Sequence, residues 1–136
     1  GREAAYEDYF AIETQLAASG LFDVLAHADV VKKQGVFLDR PPRDLYEGLA
    51  VAASRGGVAV EVSTAGLHQR AEEMYPSADL LRRFHNHGVP ITIASDAHVP
   101  EACGRDRDLA LELARSVGYT ERSAFERRIG RMVPLD

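Results

Sequence analysis

Apolar positions along the chain fall into four helical stretches separated by short, nearly continuous apolar runs. Tyr6, Phe10, Glu13 and Leu16 recur at close to helical spacing and Gly20 follows as a stop, so residues 3–19 read as a helix. The run Phe22-Asp23-Val24-Leu25-Ala26 then reads as a strand ending at His27. Pro41 and Pro42 open a second helix carrying Leu45, Leu49 and Ala53, which stops at Gly56-Gly57. A strand over 58–62 follows. Ser77 caps a helix through Leu80, Leu81 and Phe84 that ends at Gly88. The third strand spans 91–95. A fourth helix covers 105–117 and stops at Gly118, and Thr120 is read as the cap of a last short helix.

Strands alternating with helices imply parallel pairing through crossovers, an α/β fold. His27 to Glu61 is 34 residues and Glu61 to Asp96 is 35, one helix plus one strand per step. Near-continuous apolar strands suit a sheet covered on its faces. In α/β barrels functional residues sit at strand C-terminal ends, where this reading puts His27 and Asp96, with Glu61 just inside its strand. Three strands do not close a barrel, and an open three-stranded sheet leaves two edges through which the chain would self-associate. The expectation is one domain over 1–136 that is part of a larger barrel. The other reading is a small self-sufficient α/β sandwich.

Composition narrows the classes. A chain of 136 residues with 46% hydrophobic and 27% charged residues suits one globular domain. A net charge of −5, without a Lys/Arg cluster, argues against a nucleic-acid partner. No apolar run approaches the roughly 20 residues of a membrane span. Cys103 is alone, so no disulfide framework or cysteine zinc site is expected, and a reducing, cytoplasmic setting fits.

Ser95-Asp96-Ala97-His98 is the sharpest local feature. A carboxylate and an imidazole just past a strand end can turn into one cavity, and oxygen with nitrogen donors suits Zn²⁺, Mn²⁺ or Fe. Alone the pair is a weak motif, and by itself it reads more readily as a turn aspartate beside a surface histidine. His27 ends a strand, where it is either a ligand or a buried histidine satisfied by a carbonyl. Asp29 is read as capping the next turn. Glu61 puts a charge in an apolar strand, and it either faces the cavity beside a cation or lies on a wet edge. His68, Gln69 and Arg70 either meet an anionic substrate or are solvated. Lys32-Lys33 is basic near the mouth. His85 and His87 read as surface residues of a helix end, and Arg105-Asp106-Arg107-Asp108 as an exposed helix start.

With these residues in place, the chain resembles the C-terminal half of histidinol phosphatases of the PHP (polymerase and histidinol phosphatase) family. The likeness runs nearly end to end. It rests on Ser19-Gly20-Leu21-Phe22-Asp23-Val24-Leu25-Ala26-His27 with Asp29 and Lys32-Lys33, on Glu61-Val62-Ser63-Thr64-Ala65-Gly66-Leu67 with Tyr75-Pro76-Ser77, on Gly88-Val89-Pro90-Ile91-Thr92-Ile93-Ala94-Ser95-Asp96-Ala97-His98, and on the tail Met132-Val133-Pro134-Leu135. The resemblance implies a distorted seven-stranded (βα) barrel with up to three divalent ions (Zn, Mn or Fe) at the strand C-termini. It implies His27, Asp96 and His98 as metal ligands on different ions, Asp96 and His98 being catalytic. His68, Arg70 and Lys32 would then meet substrate, with Glu61 and Ser95 behind the ligands. The implied reaction is hydrolysis of L-histidinol phosphate to L-histidinol and phosphate, in histidine biosynthesis, without a covalent phosphoenzyme.

The sequence departs from that pattern twice. The opening His-x-His motif and the His and Glu ligands before the third motif have no counterpart, and no histidine precedes His27. The isolated chain is therefore expected to be inactive. After Ala65-Gly66-Leu67 the family's usual Arg or Lys is replaced by His68, with Arg70 displaced by two positions. That leaves open another PHP phosphoesterase acting on a nucleotide or other small phosphate ester, or a non-catalytic fragment.

Overall fold

The computed structural model describes residues 1–136. Four helices alternate with three strands: α1 Arg2–Ala18, β1 Val24–Leu25, α2 Arg43–Gly56, β2 Ala59–Ser63, α3 Ala78–Asn86, β3 Ile91–Ala94 and α4 Arg107–Val117. The chain ends in two further strands, β4 Glu121–Glu126 and β5 Ile129–Pro134. Short 3₁₀ turns at Val30–Lys32, Ala65–His68 and Pro100–Ala102 follow β1, β2 and β3 in turn.

The sheet order is β1-β2-β3, all parallel. Val24 is level with Ala59 in β2, and Glu61 and Ser63 are level with Thr92 and Ala94 in β3. The fold is thus α/β with three parallel strands alternating with helices. Both outer strands keep an unpaired side, and β1 is only two residues long, which blunts it as a template for further pairing. No helix is long and apolar enough to cross a membrane.

Strand alternation explains the core. Val58, Val60 and Val62 are buried among helices, while Glu61 between them points to the opposite face. Under β1 and β2, Phe10 of α1, Leu49 and Ala53 of α2 and Leu80 and Phe84 of α3 form one apolar cluster. Val62 and Ile91 join Leu81, Ala110, Leu111 and Ala114 in a second, beneath α4. Complete burial of a Leu or Phe side chain contributes about 1.5–3 kcal/mol. The helices cross closely where Gly56 meets α1: a Cβ there would fall 1.9 Å from the Ala17 carbonyl oxygen. Ser77 caps α3 as expected, its hydroxyl accepting the Leu80 N–H at 3.3 Å.

The end of the chain corrects the sequence reading. Thr120 opens no helix; residues 121–134 form an antiparallel hairpin, Glu121 pairing with Pro134 and Glu126 with Ile129. Its turn residues Arg127 and Arg128 both adopt positive φ, 49° and 69°. The tip reaches back to the start of β1, where Arg128 Nε donates to Asp23 at 2.9 Å. The fourth helix begins at Arg107 and not at 105, because Asp106 is left-handed.

Candidate active site at the strand C-termini

Parallel pairing brings the ends of β1, β2 and β3 to one side of the molecule, and the residues singled out from sequence lie just beyond them. At the end of β1 the backbone turns sharply: His27 and Asp29 adopt φ of 58° and 76°. Tyr9 of α1 holds this turn, its hydroxyl donating to the His27 carbonyl and accepting the Val30 N–H. The His27 ring is half exposed, and its Nδ1 lies 3.5 Å from Oε1 of Glu61, which also accepts the His27 N–H at 3.3 Å. Glu61 therefore faces the strand-end turn and not bulk water; its side chain is 15% exposed.

Beyond β3, Asp96 also takes a left-handed conformation, φ 51°. Its carbonyl oxygen lies 2.8 Å from His98 Nδ1, so Nδ1–H donates to it and Nε2 stays open. Asp96 and His98 line a cleft of about 210 Å³ with His68, Ser95 and Arg105. The Ser95 hydroxyl accepts the Gly104 N–H at 3.1 Å. The Thr64 hydroxyl, just past β2, donates to the Arg105 carbonyl at 2.7 Å. These two bonds pin the loop leading into α4 to the ends of two strands. His68, which lines the cleft, has its Nε2 2.5 Å from Asp106 Oδ2.

The expected ligands thus occupy two places. Asp96 and His98 share the cleft with His68, whereas His27 lies with Glu61 at the other outer strand. The separation is two strand spacings, roughly 10 Å. Nowhere do three or more His, Cys, Asp or Glu side chains converge as a metal cage. The donors are of the kind that suits zinc, manganese or iron.

Several residues sit elsewhere than the sequence indicated. Lys32 is not at the mouth. It is buried, its Nζ bonded to Asp29 Oδ2 at 2.7 Å and to Glu73, and it lies over the Tyr75 ring at 5.6 Å from the centroid. Asp29 caps no turn with its side chain: Oδ2 takes Lys32 and the Ser77 N–H, and Oδ1 has no partner. Burial pushes the Asp29 pKa up, while Lys32 beside it pulls it down. Arg70 lies against Gly35 and does not line the cleft; Arg105 does. His85 and His87 do stand at the end of α3 as read, but part-buried: His85 packs edge-on against Tyr119, and His87 Nε2 lies 2.5 Å from Glu47 Oε1.

Sequence reasoning missed Tyr9, Arg105 and Asp106. Tyr9 lies outside the stripe of Tyr6, Phe10, Glu13 and Leu16 from which the helix was read. Arg105 and Asp106 sit in an alternating-charge run, and their signal was position: the first helix start after the Asp96–His98 strand end.

No family model matches the chain. It is 39% identical over 113 residues to a protein of Deinococcus radiodurans described as a probable histidinol-phosphatase. That stretch is 83% of this chain and 43% of the relative, so the chain spans less than half the length of the curated protein it matches.

Proposed function

We propose that the protein containing this chain is a metal-dependent phosphomonoesterase, and that its substrate is L-histidinol phosphate. The observation that carries this is the placing of Asp96 and His98 in one cleft with His68 beyond β2 and β3, while His27 lies beyond β1 on the same side of the sheet. The likeness to a probable histidinol-phosphatase supports it. On this reading the chain is the C-terminal portion of a distorted seven-stranded PHP barrel. Further strands would pair with the open sides of β1 and β3, since closure takes about eight. The lone exposed Cys103 suits a reducing cytoplasm.

His27 on one side, and Asp96 with His98 on the other, would hold separate divalent ions, with the missing donors coming from outside residues 1–136. Such ions supply a water nucleophile near neutral pH and offset phosphoryl charge. This chain's own contribution is orientation. Glu61 fixes the His27 ring, the Asp96 carbonyl fixes the His98 ring so that Nε2 faces outward, and Arg105 brings a cation to the cleft for the phosphoryl group.

The His68–Asp106 pair favours a second reading, another small phosphate ester, because the carboxylate offsets the cationic charge that would hold a phosphate. Both readings are tested by assaying the whole protein and the 136-residue chain with Mn²⁺ or Zn²⁺ on histidinol phosphate, a nucleoside monophosphate and an aryl phosphate. The expected result is turnover of about 1 s⁻¹ or more by the whole protein, lost in Asp96→Ala, with none from the chain alone. A whole protein inert on every ester overturns the phosphatase reading. Turnover by the 136 residues alone overturns the claim that their ligand set is partial.

A further inference from the structure

Asp106 occupies the N-cap position of α4, where an aspartate ordinarily accepts an N–H from the first helical turn. It makes no such bond. It also holds a left-handed backbone, φ 60° and ψ 20°, a conformation aspartate adopts more readily than most side chains. Its side chain instead turns to His68, Oδ2 lying 2.5 Å from Nε2. The loop is fastened just before Asp106, through Gly104 to Ser95 and through Arg105 to Thr64.

The pairing changes what His68 can do. A carboxylate on Nε2 keeps a proton there, fixes the ring and leaves Nδ1, which makes no hydrogen bond within the chain, as the nitrogen free to exchange a proton. Asp106 also offsets the charge of a protonated ring, so His68 makes a poorer anion anchor than a guanidinium. Arg105, lining the same cleft as Asp96 and His98, is the better anchor.

We infer that His68 is the proton donor to the leaving group and Asp106 its positioning residue, an inference resting on the phosphomonoesterase reading. As the oxygen of the attacking water bonds to phosphorus, the bond from phosphorus to the ester oxygen breaks. The electron pair stays on that oxygen, which takes the proton from His68 Nδ1. The attacking water gives up its proton to solvent, and His68 regains one from solvent. The sum is ester plus water giving alcohol plus phosphate. Asp106 stays ionised throughout, holding Nε2–H. The substrate class this suits is an alkyl phosphate, whose alkoxide leaves poorly without a proton.

Leaving-group dependence tests this. In the whole protein, Asp106→Asn and His68→Gln are assayed on an alkyl phosphate and on p-nitrophenyl phosphate, whose phenolate departs without a proton. The expected loss in kcat/KM is about 100-fold on the alkyl ester, and much smaller on the aryl ester. Equal losses on both reduce His68 to an anchor or a support and overturn the inference, as does no loss on either. A wild-type protein inert on both esters overturns the phosphatase reading and this inference together. Asparagine tolerates the left-handed backbone, so Asp106→Asn keeps the turn. Side-chain ¹⁵N spectra of the whole protein stripped of metal give a readout free of turnover. His68 should carry a hydrogen-bonded proton on Nε2 that Asp106→Asn releases, and a bare Nε2 in the unsubstituted chain overturns the dyad.

Discussion

Glu61 Oε1 takes both the backbone N–H of His27, at 3.3 Å, and the approach of its ring Nδ1, at 3.5 Å. One carboxylate from the middle strand thereby fixes the turn and the ring of a residue from the neighbouring strand. The His27 Nε2 is left as the nitrogen available to a ligand.

Removing that carboxylate should therefore act on metal binding more than on folding. Glu61→Ala is expected to lower the affinity of the whole protein for Mn²⁺ or Zn²⁺ by about 10- to 100-fold, as loss of a partner behind a ligand does. Its cost in stability is about 1 kcal/mol, the worth of an ordinary hydrogen bond. Calorimetric titration beside urea denaturation separates the two, and an unchanged metal affinity contradicts the assignment.

The buried Lys32–Asp29 pair makes a stability prediction. Lys32→Met leaves the Asp29 carboxylate enclosed without its cation, which is expected to cost about 3–5 kcal/mol. The double change Asp29→Asn with Lys32→Met removes both charges and should recover most of that loss. Urea midpoints of the two variants decide it: if the double variant is no better than the single one, the pair is not what the site needs.

Glu13 makes the stability depend on pH. It lies on the buried face of α1 with Oε2 unpartnered, and burial raises its pKa to about 7, against a lowering contribution from the Tyr9 hydroxyl. Unfolded, the carboxyl ionises near its ordinary value of 4.5, while in the folded chain it keeps its proton up to about 7. Across that window the folded state binds more protons, so stability falls as pH rises, by up to about 3 kcal/mol. Below 4.5 both states are protonated and the effect is absent. Glu13→Gln should flatten this slope, measured by denaturation at pH 5 and pH 8, and an equal slope in both proteins refutes the account.

Gly66 sits where a side chain has no room. A Cβ would lie 2.0 Å from the Glu73 carbonyl oxygen and 3.0 Å from the Tyr75 ring. Gly66→Ala must displace backbone, at about 1–3 kcal/mol, and with it the 3₁₀ turn that carries His68. Weakened contact between His68 and Asp106, seen in the side-chain nitrogen spectra, should accompany the drop in melting temperature.

The parallel sheet and its four helices were legible in the sequence because their signals are local and mutually consistent. Leu49 and Ala53 at helical spacing, Gly57 as a stop and Val58, Val60 and Val62 as the buried face of a strand all agree with the structure. The final hairpin was not legible. Its strands carry Glu121, Ala124 and Glu126, residues of low strand preference, and its turn is Arg127-Arg128 where an Asn-Gly pair is the usual signal. The strand ends were readable for Asp96 and His98, which stand in a motif. Lys32 was misplaced because its partner Glu73 meets it from 41 residues away, although Asp29 stands only three residues before it. The His68–Asp106 contact spans 38 residues and was hidden for the same reason.

Lys32 and Lys33 are the only lysines in the chain. Lys32 is 1% exposed and held by two carboxylates, while Lys33 beside it is open to water. Amine-directed reagents, acetylating enzymes included, therefore meet one side-chain target on the folded molecule. A second target appears only when the segment after β1 comes apart. A doubly labelled peptide spanning these neighbours would count openings of that segment, with the folded molecule supplying the single-label reference from the same two residues.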